Sequence, residues 1–212
     1  GIAYAVRAMY YLDLVRTYGA ETYAKNKQAE TVPMVTEVDA ADMTKNPRMT
    51  NEAAFAFILS DLDQAEKYLA DYQRSDKTTP DLSVVYGLKA RAYLTMEDWP
   101  NAEKYAKLAM AGYSVMTGAQ YTDYETGFNT PNDAWMFCVQ YKATDDNIKL
   151  NDGDSSWGSK MITESGMLDN PGASCGYAAN YGKPLFIDRH LYETIPATDC
   201  RKKCFVDFSA DD

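Results

Sequence analysis

Apolar side chains recur every three or four residues from about Ala3 to Tyr18, at Val6, Met9, Tyr10, Leu14 and Val15, with Ala3 and Tyr11 beside them. That spacing predicts an amphipathic helix that buries this stripe and stops at Gly19. From 20 to 49 the periodicity is lost among polar residues, Pro33 and Pro47, which predicts a long loop. A second periodic run, Phe55, Ile58, Leu62, Ala65 and Leu69, predicts a helix ending near Tyr72. Thr50 is its expected cap, and Glu52 sits favourably in its first turn. A third helix is expected to open at Thr79-Pro80, with proline at the first helical position, and to reach about Met96. Glu97-Asp98-Trp99-Pro100 reads as a tight turn, and a fourth helix covers about Asn101 to Ala111 before Gly112.

These helices repeat. Tyr4-x3-Ala8-x2-Tyr11 in the first recurs as Tyr86-x3-Ala90-x2-Tyr93 in the third. Ala65-Glu66-Lys67-Tyr68 in the second recurs as Ala102-Glu103-Lys104-Tyr105 in the fourth. Tyr11 and Ala65 stand 54 positions apart, Tyr93 and Ala102 only 9, so the first copy carries 45 extra residues. Small residues let two helix backbones approach, and bulky neighbours fill the groove. Ala90 facing Ala102 and Ala109, with Tyr93 and Trp99 around the turn, meets that need and resembles a tetratricopeptide repeat. The tyrosines at 4, 11, 68, 86, 93 and 105 and Trp99 are therefore expected to pack in the core.

After Tyr113 the pattern changes. Asp133 to Tyr141 is a short apolar run, read as a buried extended segment or strand. Residues 142–183 are rich in Gly, Asn, Asp and Ser, and a loop region of that length is usually functional. Leu185 to Tyr192 and Asp199 to Phe205 return to helical or mixed apolar spacing.

Composition narrows the function. Among 212 residues, 21 Lys and Arg face 31 Asp and Glu, a formal charge of −10 that disfavours nucleic acid and anionic lipid. The single histidine, His190, removes multi-histidine metal sites and reads as a surface or helix-packing residue. Cys138, Cys175, Cys200 and Cys204 lack zinc spacing and read as buried or free thiols; a disulfide between distant cysteines stays open. Asp145-Asp146-Asn147 and Asn151 to Ser155 are rich in oxygen ligands, but neither keeps the calcium-loop frame, so a solvated turn is the better reading. With so many acidic residues, some carboxylate pair is inevitable and says nothing about glycoside hydrolysis. Tyrosine is the outlier, at 17 residues. Trp157, Tyr177 and Tyr181 lie in the Gly/Asn/Asp-rich loop, where no periodicity demands a ring. Sugars stack their C–H faces on aromatic rings while amides and carboxylates bind hydroxyls, so these three are the candidate ligand-binding residues. Packing of the loop onto itself is the competing reading.

The stretch Ala5 to Gly19, with Arg7-Ala8-Met9-Tyr10-Tyr11-Leu12-Asp13-Leu14-Val15-Arg16, resembles a helix of the SusD/RagB family, the nutrient-binding outer-membrane lipoproteins of Bacteroidetes. Val32-Pro33-Met34-Val35, Ile58 to Ala65, and Ala90-Arg91-Ala92-Tyr93-Leu94 through Trp99 and Ala102 resemble further motifs of that family. Asn132-Asp133 before Trp135-Met136-Phe137, then Leu191-Tyr192 and Asp199-x-Arg201, continue the likeness in order. The resemblance implies a middle segment of a longer protein, lipid-anchored at the outer membrane and exposed on the cell surface. It implies a non-enzymatic receptor without cofactor that captures oligosaccharide or polysaccharide and passes it to a partner TonB-dependent transporter of the SusC type. The alternative is a peptide- or protein-binding scaffold of the same helical-repeat architecture.

The expected fold is mainly α. Residues 1–113 form tetratricopeptide-like helical hairpins with an insertion at about 20–49, and 114–212 form a loop-rich, ligand-facing region of one partial domain, 1–212.

Overall fold

A computed structural model describes residues 1–35, 46–123, 126–127, 130–140 and 187–205. The described chain is mainly helical: α1 (Ile2–Tyr18), β1 (Glu30–Pro33), β2 (Arg48–Thr50), α2 (Asn51–Leu69), α3 (Leu82–Thr95), α4 (Trp99–Met110), α5 (Gly118–Tyr121) and α6 (Arg189–Thr194), followed by a 3-10 turn at Cys200–Cys204. It divides into two units, Gly1–Ser114 with Asp133–Cys138, and Val115–Asn132 with Val139–Asp212.

In the first unit, α1 pairs with α2 and α3 with α4, as two helical hairpins. The repeat is visible in ring geometry. Tyr4 stacks on Tyr68 at 6.2 Å, and the equivalent Tyr86 lies 6.0 Å from Tyr105, which also stacks on Tyr93 at 5.5 Å. These rings pack against one another at half-buried positions, with two exceptions to the expected core. Tyr68 is 59% and Trp99 58% exposed, because Tyr68 offers one face to Tyr4 and Trp99 opens the first turn of α4.

The buried stripe of α1 differs from the one expected. It is Ala5, Ala8, Tyr11, Leu12 and Val15, whereas Ala3, Tyr10 and Leu14 face outward. Ala5 and Ala8 are nearly sealed, so the α1 and α2 backbones approach through small residues. Phe55, Ile58, Leu62, Ala65 and Leu69 of α2 form the core as expected.

Helix ends follow side-chain chemistry. The Thr50 hydroxyl accepts from the Ala53 N–H and caps α2. The cap of α3 is Asp81 rather than Thr79; its carboxylate accepts from the Val84 N–H, and Pro80 lies just outside the helix. Asp98 caps α4 with proline in its first turn, two residues earlier than expected. Glu97 takes the left-handed conformation (φ 61) that closes α3, and Gly112 takes it after α4 (φ 84).

The expected loop 20–49 contains two short strands. Glu30 pairs with Thr50 and Pro33 with Arg48, antiparallel with an irregularity between. The Thr31 hydroxyl donates to the Met49 carbonyl at 3.0 Å. The turn before β1 folds over the start of α2. The Asn51 and Glu52 N–H groups donate to the Ala29 and Lys27 carbonyls, both at 2.9 Å, so donors that a helix start leaves orphaned find partners. Tyr23 meets Phe55 edge-on at 5.1 Å. The insertion thus begins as a seat for α2.

In the second unit, Thr117 and Gln120 form a reciprocal capping box on α5. Lys202 lies over the Tyr192 ring at 4.7 Å and donates to the Ile195 carbonyl at 2.8 Å. The Arg201 guanidinium hydrogen-bonds the Asp199 carboxylate and lowers its pKa to about 2.

Candidate functional site

Trp157, Tyr177 and Tyr181 lie outside the described residues, as do Cys175 and both oxygen-rich stretches at 145–155. What the structure describes is the framework from which that loop region departs. The apolar segment entering it, expected as a buried extended segment or strand, joins no ladder over 133–140. It packs on the helical unit through half-buried Met136 and Phe137 and buried Cys138.

Arg74 fastens this segment. Its Nη1 donates to the Met136 carbonyl at 2.6 Å and to the Thr79 carbonyl at 3.3 Å. Its Nη2 donates to the Tyr113 hydroxyl at 2.7 Å, and Nε pairs with Asp81 at 2.9 Å. Asp81 accepts in turn from the Ser83 hydroxyl at 2.6 Å, and Ser83 shares a hydrogen bond with the Tyr113 hydroxyl at 2.6 Å. One planar, always charged fork thereby joins the loop before α3, the end of α4 and the outgoing segment. The Cys138 N–H adds a bond to the Lys77 carbonyl at 2.9 Å. Glycine at position 87 makes room, since a Cβ there would stand 3.1 Å from the Met136 sulfur. None of these roles was read from the sequence, because the partners that tie Arg74 to the rest of the unit, Tyr113 and Met136, lie 39 and 62 residues away.

Two further charged groups are spent on architecture. Arg7 of α1 grips Asp61 of α2 through both carboxylate oxygens, at 2.7 and 2.8 Å. Lys89 of α3 is 2% exposed and donates to Asp63 of α2 at 2.6 Å and to Glu66. Its ammonium also stands 5.0 Å from the Tyr105 ring centre. Burial opposes the charge of Lys89, but the two carboxylates outweigh it and hold its pKa above the ordinary lysine value.

Among the described residues, no group of three or more His, Cys, Asp and Glu side chains is placed to hold a metal ion. His190 is exposed on α6. Among the described residues, Cys138, Cys200 and Cys204 form no disulfide. The chemistry of the described framework is positional: it sets where the chain leaves the helical unit at Cys138.

Comparisons with known proteins place this framework. The family model SusD-like_3, described as starch-binding associating with outer membrane, matches residues 1–94. A SusD-like carbohydrate binding protein from Bacteroides vulgatus is 24% identical with a TM-score of 0.54, covering 64% of this chain and 29% of its own. A SusD-like protein from Bacteroides fragilis is 27% identical with a TM-score of 0.52, covering 67% and 27%. A SusD superfamily protein from Bacteroides vulgatus covers 81% and 41%, with 21% identity and a TM-score of 0.58. The chain thus spans between 27% and 41% of the length of the solved structures it resembles. No curated protein matches it.

Proposed function

Residues 1–94 being SusD-like, we propose that the chain belongs to a cell-surface protein that captures carbohydrate for uptake and does no chemistry on it. The observation that carries this reading is the match of α1 to α3 with a starch-binding family model, in the order of motifs seen along the sequence. Hairpins 1–113 serve as scaffold in this reading, and 114–212 form the ligand-facing region. Trp157, Tyr177 and Tyr181 supply aromatic platforms for sugar rings, and the asparagines and aspartates around them bind hydroxyls. The Arg74 latch fixes the segment through which the chain leads into that region. A formal charge of −10 suits a neutral glycan better than an anionic one. The proposal includes a lipid anchor at the outer membrane and a TonB-dependent transporter that receives the captured oligosaccharide.

Affinity electrophoresis through gels containing starch and a panel of neutral polysaccharides tests it. Retardation by at least one glycan, weakened roughly two- to tenfold by Trp157→Ala or Tyr181→Ala, is the expected result; one lost stacking contact is worth about 0.5–1.5 kcal/mol. Unchanged mobility in every gel, with binding to peptides instead, would overturn the glycan assignment.

A further inference from the structure

The turn between α3 and α4 carries a glutamate where the backbone favours a glycine. Two hydrogen bonds close the end of α3: the Glu97 N–H donates to the Leu94 carbonyl at 3.1 Å, and the Asp98 N–H to the Tyr93 carbonyl at 2.9 Å. Glu97 is thereby held in the left-handed region at φ 61, the conformation that Gly112 takes after α4. Glycine enters that region without steric penalty, whereas a side chain with a Cβ is strained there. Among the described residues, Glu97 is the one non-glycine residue with positive φ. Strain of this kind gathers at binding sites, so the side chain kept here calls for a use.

The neighbours of Glu97 indicate that use. Glu97 is exposed, and its carboxylate pairs with no other described residue. Asp98, by contrast, is taken up by the helix: its carboxylate accepts from the Asn101 N–H at 3.2 Å and from the Asn101 side-chain amide at 2.7 Å. Trp99 stands two positions beyond Glu97, so their Cα atoms lie within about 7 Å of each other. Trp99 is 58% and Leu94 55% exposed, and the indole meets no other described ring or cation. The turn therefore presents to solvent an apolar aromatic face beside an unpaired carboxylate. A pyranose has the matching chemistry: its C–H face stacks on a ring and its hydroxyls donate to an acceptor.

We infer that the α3–α4 turn is a second carbohydrate-binding site, where a neutral pyranose ring stacks on Trp99 and donates a hydroxyl hydrogen bond to the Glu97 carboxylate. The inference rests on the reading of the protein as a carbohydrate binder, but on none of its loop residues.

The full chain labelled with fluorotryptophan carries fluorine at Trp99, Trp135 and Trp157, and substitution of each by phenylalanine assigns its resonance. Maltoheptaose, cellohexaose, xylohexaose and mannohexaose are titrated in turn and followed by fluorine NMR. A saturable shift of the Trp99 resonance is expected with at least one of these sugars, its midpoint raised about threefold or more by Glu97→Gly. Because Glu97→Gly relieves the backbone, its thermal unfolding midpoint should not fall, so weaker binding cannot be laid to lost structure. A shift confined to the Trp157 resonance would overturn the inference and leave the carbohydrate reading standing, whereas no shift of any resonance would overturn both. A Trp99 shift indifferent to Glu97→Gly would overturn the inference as well, since the strained carboxylate would then hold no sugar.

Discussion

Lys89 carries a charge into the helical unit, while its two carboxylate partners sit nearer water, with Asp63 67% exposed. The asymmetry makes substitutions unequal. Lys89→Met removes the buried charge and leaves two solvated carboxylates, so unfolding free energy should change by less than about 1 kcal/mol. Asp63→Asn with Glu66→Gln leaves the ammonium buried and uncompensated, and should cost about 3 kcal/mol in urea unfolding. The pH dependence follows from the raised pKa of the folded state. The contribution of Lys89 is complete below about pH 10.4, where the unfolded chain is also protonated, and is lost as pH rises through the folded value. Wild type should therefore lose more stability than Lys89→Met in strong base. Arg74 acts at the same scale. Arg74→Ala should release the 133–138 segment and raise the labelling rate of the buried Cys138 thiol at least tenfold, while Lys77→Ala, which keeps the backbone carbonyl, should leave it within about twofold. Neither role was legible in the sequence, because a lysine or arginine inside or beside a helix reads as surface until distant partners are known.

Helices were the most legible elements, since periodicity and caps act within a few residues. Thr50, Glu52 and the α2 core stripe stood where expected. Errors arose where two local signals competed. Threonine followed by proline marks a helix start, but Asp81 one position after the proline has a stronger acceptor and is held by Arg74. Asp81→Ala should accordingly cost about 2 kcal/mol in thermal unfolding, a cap and a partly buried ion pair together, against less than about 0.5 for Thr79→Ala. The stripe of α1 failed for another reason. Both sides of that helix are apolar, and periodicity cannot say which partner covers which side; Tyr10 and Leu14 belong to the side uncovered here. The strands at 30–33 and 48–50 escaped because four- and three-residue strands carry almost no alternation.

At the scale of the molecule, the repeat accounts for six of the 17 tyrosines, at positions 4, 11, 68, 86, 93 and 105. Equivalent rings pair within each hairpin, Tyr4 with Tyr68 and Tyr86 with Tyr105, and the duplicated motif pointed to their packing. The family likeness was legible for the same reason: scaffold motifs are local and collinear, and residues 1–94 carry them. The proposed ligand site was legible only as composition, because a binding loop answers to its ligand rather than to a repeating backbone. Carbohydrate capture is the central claim, and affinity electrophoresis of the intact chain through native polysaccharide gels, starch first, tests it most directly. The account predicts retardation that Trp157→Ala relieves while Lys89→Met does not; equal mobility with and without every polysaccharide would contradict it.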